Sequence, residues 1–466
     1  MEESVKLPNE FLLQMKEQLG TEYEAFVASY QESKTYGLRR NSLKIEKENF
    51  EQDMEAFGIR SIPWAENGYY YDPETHPGKH PFHEAGMYYI QDPSAMSVAE
   101  LLAVRPGDIV CDLCAAPGGK TTQIAGDLQG KGMLISNEIH PARAAILSQN
   151  VERMGIRNCV VLNETPERLS VFFPVFFDKI VVDAPCSGEG MFRKDENARL
   201  EWSPEQVQIC ADRQDKILEQ AARMLKPGGI LVYSTCTFNI TEDEGTISRF
   251  LDKNPDFELQ TEKRLWPHLV EGEGHFAARL VRKGTLLHHE LEAENDGLAD
   301  DNTLRKVDRK RSKKTEQRQD VAAECRKFVS ENLADNIWQT KLSGDIISFG
   351  DQLYLLPKQM LSLQGLKVVR PGLHLGTNKK NRFEPSHALA LALCPQDVKR
   401  AAAISEKQGI SYIHGDLIEL GNGENTISDG WCLVCIQGTA AKSYSLAWGK
   451  ALGGRIKNHY PKGLRK

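Results

Sequence analysis

Asp112-Leu113-Cys114-Ala115-Ala116-Pro117-Gly118-Gly119-Lys120-Thr121 follows the apolar run Ile109-Val110-Cys111 and opens a helical pattern that runs from Thr121 to about Leu128. Glycine and alanine at such a junction let the backbone approach a ligand closely, and a helix start offers unpaired N–H groups to a carboxylate. The spacing is neither the dinucleotide fingerprint nor a phosphate loop. A nucleotide-like ligand without phosphates fits it better. Outward from this loop, strand candidates Met133-Leu134-Ile135-Ser136, Cys159-Val160-Val161-Leu162, Lys179 to Asp183 and Gly229 to Ser234 alternate with helical stretches near Ala142 to Met154 and Pro204 to Leu225. That alternation predicts a doubly wound parallel α/β sheet between about Ser94 and Arg282. Glu138, ending the second strand, suits a ribose diol, and Glu164, past the third, has the position to reach an adenine.

Two further strand candidates each end in a cysteine, Ile180-Val181-Val182-Asp183-Ala184-Pro185-Cys186 and Ile230-Leu231-Val232-Tyr233-Ser234-Thr235-Cys236. A lone cysteine is more often a small buried hydrophobe. A thiol just past the carboxyl end of a strand, however, faces the ligand crevice of an open α/β sheet. Cys432-Leu433-Val434-Cys435 and Cys111-Asp112-Leu113-Cys114 have zinc-ligand spacing, but both lie on apolar strands, so buried thiols are expected and no metal.

Composition narrows the class. The chain has 466 residues, enough for two to four domains, with 40% hydrophobic and 26% charged residues, as in an ordinary globular protein. No apolar run approaches the roughly eighteen residues of a membrane span, and Met1-Glu2-Glu3-Ser4 has no signal-peptide character. A cytoplasmic protein is expected, and its ten cysteines show no disulfide framework. The net charge of -7 argues against a blanket nucleic-acid binder. Its distribution argues the other way: after Asp429 there is no acidic residue, while Lys442, Lys450, Arg455, Lys457, Lys462, Arg465 and Lys466 follow. Such a tail suits phosphates, or is simply a solvated basic end. Between Gly284 and Asp320 an acidic block precedes a basic one with few apolar residues, which reads as a linker.

Three of these stretches carry a specific resemblance. Cys114-Ala115-Ala116-Pro117-Gly118-Gly119-Lys120, Asp183-Ala184-Pro185-Cys186-Ser187-Gly188-Glu189-Gly190 and Ser234-Thr235-Cys236-Thr237 are similar to signature motifs of the Nop/Sun family of RNA cytosine-C5 methyltransferases. The resemblance implies a Rossmann-like S-adenosylmethionine-dependent methyltransferase domain at 94–283, preceded by an α+β RNA-recognition domain at 1–93. After the linker at 284–320 it implies a first C-terminal part at 321–395 and a β-rich, PUA-like region at 396–466. The cofactor set would be residues Cys114 to Lys120 with Glu138, Arg143, Glu164 and Asp183; position 164 carries Glu where the family pattern has Asp.

The implied chemistry is covalent. Carbon 5 of cytosine becomes nucleophilic only after a thiolate adds at carbon 6. In the resembling family the Thr-Cys position attacks and the Pro-Cys position aids release, which assigns Cys236 and Cys186 in those roles. Asp183 is then the ring-stabilising carboxyl, and Lys194 orients the base or tunes a thiol. The target base has to be unpaired or flipped. Gly372-Leu373-His374-Leu375-Gly376-Thr377 and Lys457-Asn458-His459-Tyr460-Pro461-Lys462 resemble the C-terminal extension of the bacterial small-subunit rRNA methyltransferase F group. This favours 16S rRNA of the small subunit as partner of a monomer, with neither DNA nor membrane. A tRNA cytosine-C5 methyltransferase and a non-catalytic RNA-binding assembly factor are the rival readings.

Overall fold

The computed structural model describes residues 6–285, 322–360, 362–380, 382–420, 427–439 and 442–466. Beyond Gly284 and Thr285, the linker stretch lies outside the described residues. The β-branched runs form one mixed eight-stranded sheet: β1 (Ile109–Asp112), β2 (Met133–Asn137), β3 (Cys159–Leu162), β4 (Phe177–Asp183), β5 (Leu225–Thr235), β6 (Phe257–Leu265), β7 (His275–Arg282) and β8 (Val368–Arg370). Their order is β6-β7-β5-β4-β1-β2-β3-β8. Strands β1 to β5 are parallel, and helices α1 (Gly119–Leu128), α2 (Pro141–Arg153) and α3 (Pro204–Met224) join them. A parallel sheet covered on both faces wants continuous apolar strands, and all four residues of β3 and the first six of β4 are buried.

The strand order reverses between β1 and β4, so the loops after these two strands open away from each other and leave a crevice at their carboxyl ends. The glycine-rich loop leaves β1 and the Asp183 segment leaves β4. Both therefore meet at this point. Strand β7 runs antiparallel to β5 with Phe276 opposite Thr235, which brings the start of β7 to the same end of the sheet.

The flanking regions are built around this sheet. Before it come helices Asn9–Leu19 and Tyr23–Ser29 and a four-stranded antiparallel sheet. After it, strands Asp345–Phe349, Gln352–Leu356, Leu373–Lys379 and Arg382–Pro385 make a second four-stranded sheet, and a five-stranded sheet follows from Ala401 onward. The expected first C-terminal part is less separate than its boundaries suggest, because β8 leaves it to pair antiparallel with β3. The two ends of the chain also share a core. Leu38, Phe50 and Tyr88 pack in one cluster with Tyr412, Val434 and Leu446. Polar contacts seal that seam: Asp53 accepts from the Tyr444 hydroxyl at 2.8 Å, and Lys466 pairs with Glu84 at 2.7 Å. Among the described residues no helix is long and apolar enough to cross a membrane.

Candidate active site

The loop after β1 is held open by its own side chains. Gly118 has φ +118°, a conformation that side chains rarely adopt, and a Cβ on Gly119 would touch the side-chain amide of Gln91 at 3.0 Å. The Thr121 hydroxyl donates to Asp112 Oδ2 at 2.6 Å. The other Asp112 oxygen is buried without a partner, and burial, then Asp183, raise this carboxyl to about 7 against the pull of Thr121 and Lys120. At the end of β2, Glu138 accepts from the His140 amide at 2.9 Å and faces Arg143 at 3.5 Å, while Arg143 donates to the Ala116 carbonyl at 2.7 Å. Loop, Glu138 and Arg143 are thus one assembly. Burial, then the charges of Asp112, Asp183 and Glu138, push the Cys114 thiol up, so it stays protonated within this group.

The parallel register of β4 and β5 builds the reactive end. Asp183 lies opposite Ser234, and the Ser234 hydroxyl donates to Asp183 Oδ1 at 2.8 Å. The chain continues three residues from Asp183 to Cys186 and two from Ser234 to Cys236, so the cysteines arrive side by side. Their sulfurs are 3.3 Å apart as free thiols, each half-buried. The hydrogen bond with Cys236, then burial, pushes the Cys186 thiol well above its usual range, so Cys186 keeps its proton. Lys120 from the start of α1 donates to Asp183 Oδ2 at 2.6 Å. Burial alone would raise the Asp183 carboxyl; the charge of Lys120 outweighs it and holds the group ionised.

A clamp fixes the Cys186 turn. Fully buried Glu242 accepts from the Ser187 amide at 3.0 Å and from the Gln214 side-chain amide at 2.8 Å, and Gln214 also donates to the Pro185 carbonyl at 3.1 Å. The residues on both sides of Cys186 are therefore tied to one carboxyl group. Burial raises that group to about 7 even though Ser187 and Gln214 oppose it. Gly190 is required where it stands: a Cβ there would meet the Cys236 carbonyl at 2.8 Å.

Lys120, Asp183, Cys186 and Cys236 thus come together, with Cys114 to Gly119, Glu138 and Arg143 beside them. Two expected site residues are otherwise engaged. Glu164 is buried, with Oε1 accepting from the Lys367 amide at 2.7 Å, which docks the segment that leads into β8, and Oε2 facing Arg168 at 3.1 Å. Lys194 pairs with Asp92 at 2.8 Å and Glu273 at 3.3 Å. Next to it, Arg193 grips Glu273 through two bonds of 2.7 and 2.9 Å. Such a buried fork, once broken, leaves an unpaired charge that costs about 3–5 kcal/mol. Reading the sequence missed Ser234, Glu242, Gln214, Glu273 and His275. Ser234 lay within a quoted motif, whereas the others announce themselves only through three-dimensional contacts.

Cys432 and Cys435 are buried in the strand Gly430–Gln437. Among the described residues no group of three or more His, Cys, Asp or Glu side chains is placed to hold a metal ion.

Comparison with known proteins matches four successive family models. These are 16S rRNA methyltransferase RsmB/F over residues 99–281, the N-terminal domain of 16S rRNA methyltransferase RsmF over 7–93, the RsmF first C-terminal domain over 327–393 and the methyltransferase RsmF PUA domain over 399–466. Ribosomal RNA small subunit methyltransferase F of Aeromonas salmonicida is 31% identical over 472 residues, covering 95% of this chain and 93% of its own. The protein of that name from Shewanella oneidensis is 29% identical over 468 residues with the same coverage. Among solved structures, a methyltransferase homolog protein from Pyrococcus horikoshii aligns with TM-score 0.54 and 27% identity over 60% of this chain and 96% of that one. NSun6 from Pyrococcus horikoshii, solved with SFG, shares the fold at TM-score 0.53 and 21% identity, over 60% of this chain and 99% of its own. The architecture is a methyltransferase domain between an N-terminal domain and a C-terminal PUA domain, and its partner is RNA. The chain belongs to the family of 16S rRNA methyltransferases RsmB/F.

Proposed function

We propose that this protein is a cytoplasmic, monomeric enzyme that methylates carbon 5 of cytosine in 16S ribosomal RNA, using S-adenosylmethionine and a transient bond between Cys236 and the base. The observation that carries this reading is the pair of thiols 3.3 Å apart beside a carboxylate held ionised by Lys120. A protein that only binds RNA has no use for that arrangement. Residues 1–93 and 396–466 would present the RNA to the unit at 94–283, with 284–320 as linker and 321–395 as a brace.

The residues present fit the cofactor. The orphaned Asp112 oxygen and the glycine cradle suit a cationic amino-acid moiety, and Glu138 with Arg143 suits a ribose. When bound, the cofactor supplies an electrophilic methyl group on a sulfonium. Glu164, tied to Lys367 and Arg168, would reach an adenine only by giving up one of those contacts.

The protein's own part begins with Cys236. Its thiolate adds to carbon 6 of the base, the electron pair of the 5,6 double bond moves toward the ring nitrogen, which takes up the proton the thiol gave up, and the ionised Asp183 accepts from that N–H and holds that edge of the ring. Cys186 keeps its proton during this step because of its bond to Cys236. After methyl transfer the proton on carbon 5 passes to solvent, the electron pair of that C–H bond restores the 5,6 double bond, and the carbon–sulfur pair returns to Cys236, which takes back the proton held on the ring nitrogen. Cys186 assists this elimination. Lys194, in its pairs with Asp92 and Glu273, would position the wall of the site and not a thiol.

The test supplies methyl-labelled cofactor with 16S rRNA, small subunits or tRNA, and digests the product to nucleosides. Labelled 5-methylcytosine from the ribosomal substrate is expected; label confined to tRNA favours the rival enzyme, and no cofactor binding with any RNA favours an assembly factor. Cys236→Ala should abolish transfer and trapping, with a loss on the order of 10³-fold or more. Cys186→Ala should accumulate a stalled protein–RNA adduct, and the reverse pattern overturns the assignment.

A further inference from the structure

His275 stands at the reactive end of the sheet without a task in the chemistry above. It opens β7, and since the next residue, Phe276, lies opposite Thr235, His275 is level with Cys236. The residue is 4% exposed, and its Nε2 is buried with no hydrogen-bond partner, 3.5 Å from Asp183 Oδ1. A buried imidazole nitrogen normally finds a partner, so one left over and aimed at a reactive carboxylate calls for an explanation. The backbone is shaped to bring it there. Gly274, just before it, has φ +98°, and a Cβ at that position would strike the Phe238 ring at 2.4 Å; its amide donates to the Ser94 hydroxyl at 3.1 Å.

Asp183 already receives Lys120 on Oδ2 from the glycine loop and Ser234 on Oδ1 from β5. The charged groups facing His275 are Lys120, Asp183 and Asp92. Burial, then Lys120, hold the ring below its usual pKa despite Asp183, so it is neutral near pH 7 and has a single N–H to give. The carboxylate is 28% exposed, which leaves the side toward the base open.

We propose that His275 is a positioning residue for Asp183: once the base enters and excludes water, its Nε2–H closes onto Oδ1 and fixes the carboxylate from a third element while Cys236 adds to the ring. The inference rests on the cytosine-C5 reading. It adds no covalent step, and its effect is that of a prearranged hydrogen bond, which need not reorganise as charge develops on the ring.

The test compares His275→Phe, which keeps a ring but no donor, with His275→Gln, which keeps an N–H, in the full-length protein acting on 16S rRNA. The Phe variant should lose about 10- to 100-fold in kcat with KM for RNA and cofactor within about twofold, as for supporting residues behind a reactive group. The Gln variant should recover most of that loss, and both should melt with the wild type. In a Cys186→Ala background, His275→Phe should slow formation of the trapped adduct, which places the effect before release. Unchanged kcat in the Phe variant, or equal losses in both variants, overturns the inference alone. A wild-type product other than 5-methylcytosine overturns the cytosine reading together with it.

Discussion

Cys186 and Cys236 end neighbouring parallel strands and face each other, half-exposed, at 3.3 Å, whereas Cys432 and Cys435 lie inside the single strand Gly430–Gln437 with no exposed surface at all. The inner pair also diverges. Cys432 packs into the core shared by the two ends of the chain, and Cys435 into the core of the first C-terminal part. Side chains three apart on a strand point to opposite faces, so the zinc-like spacing of this pair cannot turn both thiols toward one ion. The reactive pair has no regular spacing. It is made by strand order, since β4 and β5 are adjacent and in register where they end. What separates the two pairs is place along the strand, and burial pushes the Cys432 thiol up to about 12, beyond use as a nucleophile.

The largest effect expected at the reactive pair, short of removing a thiol, falls on the clamp behind it. An ordinary Glu carboxyl titrates at 4.5, while Glu242 is raised to about 7 by burial. Between those values the folded protein holds a proton that the unfolded chain has lost, so the group's contribution to stability falls as pH rises through that window, by about 3 kcal/mol in all. Glu242→Gln cannot ionise. Its melting temperature should therefore decline less than that of the wild type between pH 5 and pH 8; parallel curves would show that the carboxyl is ionised throughout. At pH 8, where the wild-type carboxyl is ionised, kcat should fall as well, because the Ser187 amide loses a charged acceptor beside Cys186.

The interior pair should respond in the opposite currency. Cys432→Ser puts a hydroxyl into an apolar core and should cost about 1–3 kcal/mol of stability while leaving kcat unchanged. Cys236→Ser should do the reverse, abolishing transfer with little change in melting. Thermal unfolding and single-turnover methylation on the same four proteins, with Cys186→Ser and Cys435→Ser included, would settle the contrast. Lost activity in Cys432→Ser without lost stability would break it.

Much of this was legible in the sequence because the signals are local. β-Branched runs, the glycine loop and the strand-end cysteines each lie within about ten residues, and the periodicity of β3 or β4 needs no partner to be read. Glu164 shows the limit. Its place after β3 suggests a ligand contact, but its partner Lys367 is 203 residues away, in a segment whose pairing with β3 no local pattern announces. His275 and Glu242 are equally silent, since a lone His or Glu next to a Gly or Thr has many uses. Lys194 looked free because the carboxylates that hold it, Asp92 and Glu273, come from distant loops.

The smallest effect concerns the other face of the strand that buries Cys432. Along Gly430–Gln437 the residue before it, Trp431, lies opposite Lys450, and Lys450 in turn lies opposite Lys457 on the next strand. Both lysines are exposed. Like charges directly opposite on antiparallel strands repel each other, a cost that a bound phosphate would remove. Other cations of the tail have structural partners: Lys466 holds Glu84, and Arg455 holds Glu419 at 3.1 Å. Lys450 and Lys457 are thus the facing pair of cations at which the expected phosphate contact is tested first. Substituting both by Ala should weaken binding to the RNA substrate by less than about tenfold at moderate salt. The slope of log affinity against log salt should fall by about one to two, with kcat at saturating RNA unchanged. An unchanged salt slope would assign Lys450 and Lys457 to solvent and leave this strand a purely structural role, with one face in each of the two cores.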